Sequence, residues 1–148
     1  MPEVDVATTI LRESAEVYAF LKDIERLPTI ARGVKQIRIL ETYGSDARLT
    51  EWVADIGGVI VTWWQKEVLD DALMSLSFAQ IKGEYKRFEG SWELRPLAGG
   101  TQLRIRFQLD PGVPRWERTT GAIFSRKVAA NTWRLLRDIR QALEASSE

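Results

Sequence analysis

Trp52-Val53-Ala54-Asp55-Ile56-Gly57-Gly58-Val59-Ile60-Val61-Thr62-Trp63-Trp64-Gln65-Lys66-Glu67 sets two glycines between two runs rich in β-branched and aromatic residues. Both glycines tolerate positive φ, so they suit a two-residue hairpin turn. Such a turn dictates register. Ile56 then opposes Val59, Ala54 opposes Val61, Trp52 opposes Trp63, Thr50 opposes Gln65 and Arg48 opposes Glu67, all on one face. The other face pairs Asp55 with Ile60, Val53 with Thr62, Glu51 with Trp64 and Leu49 with Lys66. The first face is apolar near the turn and polar far from it, which marks it as the inner one. Gln65 and Glu67 then point inward, where a ligand cavity has a use for polarity that a packed core lacks.

Outward from this hairpin the pattern repeats. Strands are expected at Val34–Tyr43, Ala47–Ile56, Val59–Leu69, Leu73–Ile81, Tyr85–Leu94 and Thr101–Leu109, separated by turn-forming clusters such as Gly44-Ser45-Asp46 and Asp70-Asp71-Ala72. In the late hairpin, Phe88, Gly90, Trp92 and Leu94 alternate with Glu89, Ser91, Glu93 and Arg95, giving one dry and one wet face. Val4–Leu11 reads as a first strand, and Ser14 as the cap of a helix over 15–22 that ends near a bend at Pro28. From Pro114 to Glu144 a stripe of Ile123 or Phe124, Val128, Thr132, Leu135, Ile139 and Leu143 predicts a long amphipathic helix. The order is α+β: strand, short helices, six strands, and a long helix around which the antiparallel sheet curls.

Composition bounds the chemistry. The 148 residues carry 45% hydrophobic side chains and 21 basic against 21 acidic groups, which speaks against a general nucleic-acid binder. No apolar run reaches the roughly 18–20 residues of a membrane span, and the first residues lack a signal-peptide pattern, so a cytoplasmic protein is expected. Cys and His are both absent. Thiolate nucleophiles, Ser-His triads and most zinc sites are thereby excluded, and neither metal nor cofactor is expected.

Three segments carry a family resemblance: Val17-Tyr18-Ala19-Phe20-Leu21-Lys22-Asp23-Ile24-Glu25-Arg26-Leu27-Pro28, the hairpin from Phe88 to Leu103, and Asp110-Pro111-Gly112-Val113-Pro114. Together with the element order they resemble the helix-grip fold of the START-like superfamily, closest to its polyketide cyclase/dehydrase branch. That branch includes single-domain aromatase/cyclases and coenzyme Q-binding proteins. The resemblance implies one helix-grip domain over residues 1–148, with a deep cavity between sheet and long helix. It further implies a small hydrophobic, oxygenated ligand of polyketide type, free or on a carrier protein, and a monomer or homodimer. The activity implied is cofactor-independent cyclisation, aromatisation or dehydration; the alternative is a non-catalytic carrier of a quinone, lipid or isoprenoid. Family aromatase/cyclases are associated with an inward Arg after the glycine turn and a Tyr near the second short helix. Glu67 and Val34 align there, so this chain departs from that pattern.

The expected site follows from both readings. Glu67 is the candidate proton carrier, and Arg48 or Gln65 the group that stabilises an enolate oxygen. Trp52, Trp63, Gln65 and Thr50 would form one wall for the substrate. Met74, Phe78, Phe88, Trp92, Phe107 and Phe124 would supply the apolar remainder, and Asn131 a polar contact from the long helix. Plainer roles stay open for the same residues: paired tryptophans as core and edge cover, Arg48–Glu67 as an ordinary cross-strand ion pair, Tyr85 as a strand-start aromatic, and Asn131 on a flank facing water. Trp64 or Trp116 would anchor a protein partner if the chain were a binding module.

Overall fold

Gly57 and Gly58 adopt φ of 62° and 94°, and the Asp55 carboxylate accepts the Gly58 N–H at 2.7 Å. The turn is therefore the two-residue kind, and every expected pair from Ile56–Val59 to Arg48–Glu67 forms. These features come from a computed structural model, which describes residues 3–110, 112 and 118–145, and the side chains of all of these except 118–125.

Strand β1 (Glu3–Ile10) leads into α1 (Ser14–Lys22), a 3-10 turn (Ile24–Arg26) and the short α2 (Leu27–Ile30). Strands β2 (Val34–Tyr43), β3 (Ala47–Ile56), β4 (Val59–Asp70), β5 (Ser75–Gly83), β6 (Arg87–Leu97) and β7 (Gly100–Asp110) follow, then α3 (Arg118–Ala145). All seven strands form one antiparallel sheet in the order β1-β7-β6-β5-β4-β3-β2. Register breaks within β2 and between β4 and β5 are β-bulges, which bend a strand and increase its twist. The inner face buries Val4, Val6, Trp52, Trp63, Leu76, Trp92, Leu103 and Ile105. Helix α3 crosses this face. Its far end is tied to the end of β1, where the Leu11 N–H donates to Glu144 at 2.9 Å, and Asn131 holds its middle to β3.

Several expected boundaries are corrected. Ser14 does not cap α1: it is the first helical residue, and its buried hydroxyl hydrogen-bonds Thr101 at the start of β7 (2.8 Å). Strand β5 begins at Ser75, because Leu73 and Met74 form the turn and Leu73 is exposed. Strand β6 begins at Arg87, leaving Tyr85 in the bend before it. On α3, Leu136 is fully buried and Leu135 half-buried, so the stripe is wider than the expected line through Leu135. The expected helix start near Pro114, and the side chains of Trp116 and Phe124, lie outside the described residues.

The outer face is wet and charged. Arg104 donates to Asp5 (2.7 Å), Arg106 to Glu93 (2.9 Å) and Arg38 to Glu51 (2.9 Å). Hydrogen bonds from these arginines hold all three carboxyls below their ordinary range. Their contribution to stability is thus complete above the ordinary carboxyl value and lost as pH falls through the lower, folded one. The urea midpoint should drop between about pH 5 and about pH 3, and less steeply in the triple variant Asp5→Asn/Glu51→Gln/Glu93→Gln. Equal slopes in the two proteins would show that these pairs carry none of the acid sensitivity.

Candidate functional site

Between the inner face of the sheet and α3 lies a cavity of about 530 Å³. Its side wall is aromatic because the inward positions of β3 to β7 are aromatic. Trp52 and Trp63 stack across the hairpin with centroids 5.7 Å apart and planes 16° from parallel. Phe88 stands at the centre of the cluster, edge-on to Trp63 (5.4 Å) and to Phe107 (5.2 Å), with Phe78 at 5.3 Å. Such rings offer large apolar area with defined orientation, which suits flat ligands.

One polar group sits among them. Gln65 accepts the Trp63 indole N–H (2.7 Å) and donates from its own amide nitrogen to Glu67 (2.7 Å). Its amide therefore has one orientation, since rotating it by half a turn would break both bonds. Glu67 is 1% exposed and takes four donors: Arg48 Nε (2.6 Å), Thr50 Oγ1 (2.8 Å), Gln65 Nε2, and Trp52 Nε1 (3.3 Å). Arg48 in turn donates to the backbone carbonyls of Lys22 (2.6 Å) and Leu21 (3.3 Å), at the C-terminal end of α1. A helix C-terminus is where a cation is favoured. Among the described residues no buried side-chain nitrogen or oxygen lacks a partner.

Residues 12–136 match the family described as polyketide cyclase / dehydrase and lipid transport. The chain belongs to that family. It is also 31% identical, over 104 residues, to the granaticin polyketide synthase bifunctional cyclase/dehydratase of Streptomyces violaceoruber. That alignment covers 66% of this chain and 31% of the relative, so the chain spans about a third of that longer protein. Among solved structures, a protein of Thermus thermophilus superposes with a TM-score of 0.92 at 24% identity, over 99% of this chain and 100% of that one. The Zhui aromatase/cyclase of Streptomyces sp. R1128 gives 0.88 at 19% identity, over 97% and 93%. A START superfamily protein of Mycobacterium smegmatis gives 0.81 at 14%, over 98% and 99%. The fold of this polyketide cyclase/dehydrase family member is thus the helix grip.

Within it, Trp52, Trp63, Gln65, Phe78, Phe88, Trp92, Phe107 and Asn131 all line the cavity. Glu67, Arg48 and Thr50 are brought together but stand behind the wall, with Gln65 between the carboxylate and the cavity. The expectation that Glu67 and Thr50 face the ligand is corrected: inward parity put them on the right face, but the cavity ends before the polar end of the hairpin. Met74 packs against the core at the β4–β5 turn and is not on the wall. Asn131 does not face water either. It donates to the Asp55 carbonyl (2.7 Å) and accepts from Arg134 (2.8 Å).

Tyr85 is the aromatic wall residue missing from the expected set, beside aliphatic ones such as Ile105 and Leu109. Extending the β6 alternation backward from Phe88 and Trp92 would turn it outward. The bend over 84–86 breaks that alternation and turns the ring in, 5.6 Å from Trp63 and 5.3 Å from Phe88. Gln80 holds the bend: its amide nitrogen donates to the Tyr85 carbonyl (2.8 Å) and its oxygen accepts the Tyr85 N–H (3.3 Å). Burial, with a smaller contribution from Glu84, pushes the phenol pKa well above its ordinary value, so the hydroxyl keeps its proton at neutral pH. A polar amide at so central a position, five residues before Tyr85, was the available signal.

Proposed function

We propose that this protein folds a flexible, oxygenated, polyketide-type chain in its cavity and promotes ring closure, aromatisation or dehydration there without a cofactor. The observation that carries the reading is an aromatic cavity whose wall holds the anchored amide of Gln65 and the ring of Tyr85, whose backbone Gln80 clamps. Stacked and edge-on rings would hold the chain in a bent conformation, so that carbons far apart along it meet. The amide of Gln65 has one further N–H beyond its bond to Glu67, and the Tyr85 hydroxyl is a donor. Either would stabilise the oxyanion that develops as a carbonyl is attacked or enolised. Tyr85 can also give up its proton to that oxygen. Glu67 and Arg48 act in this scheme as positioning residues that orient Gln65.

The test offers a linear poly-β-ketone thioester to purified protein and follows ring formation by chromatography and mass spectrometry. Tyr85→Phe keeps the ring packing and removes only the hydroxyl. It should lower kcat about a hundredfold with KM nearly unchanged, the size typical of losing one positioned proton donor. Turnover by Tyr85→Phe equal to that of the unaltered protein would remove Tyr85 from the mechanism.

A second reading, a carrier of an apolar ligand, is favoured by one observation: the aromatic part of the cavity wall, from Trp52 across to Phe107, holds no ionised side chain. It predicts an apolar molecule co-extracted with native protein and no transformation of any β-ketone chain. Mass spectrometry of the denatured, native-purified protein separates the two readings.

A further inference from the structure

The mouth of the cavity differs in kind from its wall. It is framed by the segment before β2 and the start of that strand, the β3–β4 turn and one face of α3, and these bring exposed Arg32, Lys35, Arg134 and Arg137 around the opening. Lys127 joins them, its stem lying against Gly57 so closely that a Cβ there would meet Lys127 Cδ at 2.6 Å. Only two carboxylates among the described residues share this rim, Asp55 and Asp138, and both are engaged. Asp55 accepts the Gly58 N–H, and Asp138 lies 3.6 Å from Arg137. Arg32, Lys35, Arg134 and Lys127 have no carboxylate within ion-pair distance among the described residues. The chain as a whole carries equal numbers of basic and acidic groups. Beside the Arg137–Asp138 pair, four cations against the one carboxylate of Asp55 at the same opening are therefore a local segregation of charge.

We infer that the cavity takes amphipathic anions, with the apolar body inside and a carboxylate or phosphate ester left at the mouth among Arg32, Lys35 and Arg134. This rests on the ligand-cavity reading above and adds a polarity to it: the ligand enters apolar end first. Low-dielectric walls beneath a charged rim focus the field at the opening, which raises the local concentration of anions and their entry rate. The cations are exposed, so they keep their hydration until a ligand arrives and carry no cost of burial.

Isothermal titration of the full chain with three probes of equal apolar bulk tests this: a naphthylhexanoate, a naphthylhexyl phosphate and the neutral naphthylhexanol. Both anions should bind about tenfold more tightly than the alcohol at low salt, and the difference should shrink as salt rises. In Lys35→Glu/Arg134→Glu the anions should lose about that tenfold while the alcohol binds as before. Tighter binding of phosphate than carboxylate would assign a phosphate-tethered ligand, and the reverse a free acid. Equal affinity for all three probes in the unaltered protein would overturn the rim inference alone. Failure of even the alcohol to bind would overturn the cavity reading, and the inference with it.

Discussion

Arg48→Ala is expected to destabilise the fold by about 3–5 kcal/mol, because it strands the Glu67 carboxylate in a dry place without the cation that pairs with it. Glu67 is 1% exposed, and its remaining three donors are neutral. Neutral donors reduce the penalty of a buried charge but do not cancel it. The same substitution frees the carbonyls of Leu21 and Lys22, so the end of α1 loses one of its attachments to the sheet and keeps those of Tyr18 and Lys22 to Asp71. For a domain of this size the loss corresponds to a fall in Tm of about 10 °C. Thermal and urea denaturation followed by circular dichroism would measure it. A loss below about 1 kcal/mol would mean that water reaches Glu67 and that the network is far softer than its geometry implies. Replacing both partners, Arg48→Met with Glu67→Leu, should recover part of the stability, as apolar pairs often match buried ion pairs. It should not restore turnover, because Gln65 would lose the acceptor that fixes its amide.

Gly90→Ala is the second substitution with a large expected effect. Gly90 sits opposite Phe107, and a Cβ there would lie 2.0 Å from the Arg106 carbonyl oxygen and 2.6 Å from Phe107 Cα. These are backbone atoms of β7, which cannot swing aside as a side chain can. Either β6 and β7 separate or the local bend relaxes, at about 3 kcal/mol or more. Phe88 and Phe107 stand on the cavity wall at this crossing, so the cavity should change shape as stability falls. Urea unfolding of the variant, with ligand titration on the folded fraction, reads both effects. A stability loss under about 1 kcal/mol would mean that the strands have slack here.

The hairpin around Gly57-Gly58 was legible because the turn, the alternation and the inner-face chemistry agreed. A two-residue turn leaves no freedom of register, so placing Trp52 against Trp63 also placed Arg48 against Glu67. Parity, however, says which face a side chain takes and not how far along that face a cavity extends. That is why Glu67 and Thr50 were expected on the wall and are found behind it. Tyr85 was missed for a different reason: its direction depends on a clamp from Gln80 across the bend, which a period-2 rule does not register. Ser14 shows a related limit, since its hydroxyl was free to cap α1 until Thr101, distant in sequence, offered a buried partner. The α3 stripe identified the buried side of the helix. It could not separate Leu135, at the cavity, from Leu136, in the core, because the two differ by one helical step.

The order of strands has a consequence for how the molecule is born. Of the seven strands described, β1 is made before the other six, yet among the described residues it pairs with β7 alone, the one made last of the seven. Ninety residues separate Ile10 from Gly100, so at ordinary synthesis rates β1 waits about 5–20 s for its neighbour. During that interval the meander from β2 onward can zip up hairpin by hairpin, through contacts close in sequence. The closing step, by contrast, is a long-range one of the kind that slows folding. It also brings in α3, which is tied to the end of β1 through Glu144. A nascent chain stalled before β7 should therefore present an open cavity wall and an unpaired β1 together, and be the state a chaperone meets.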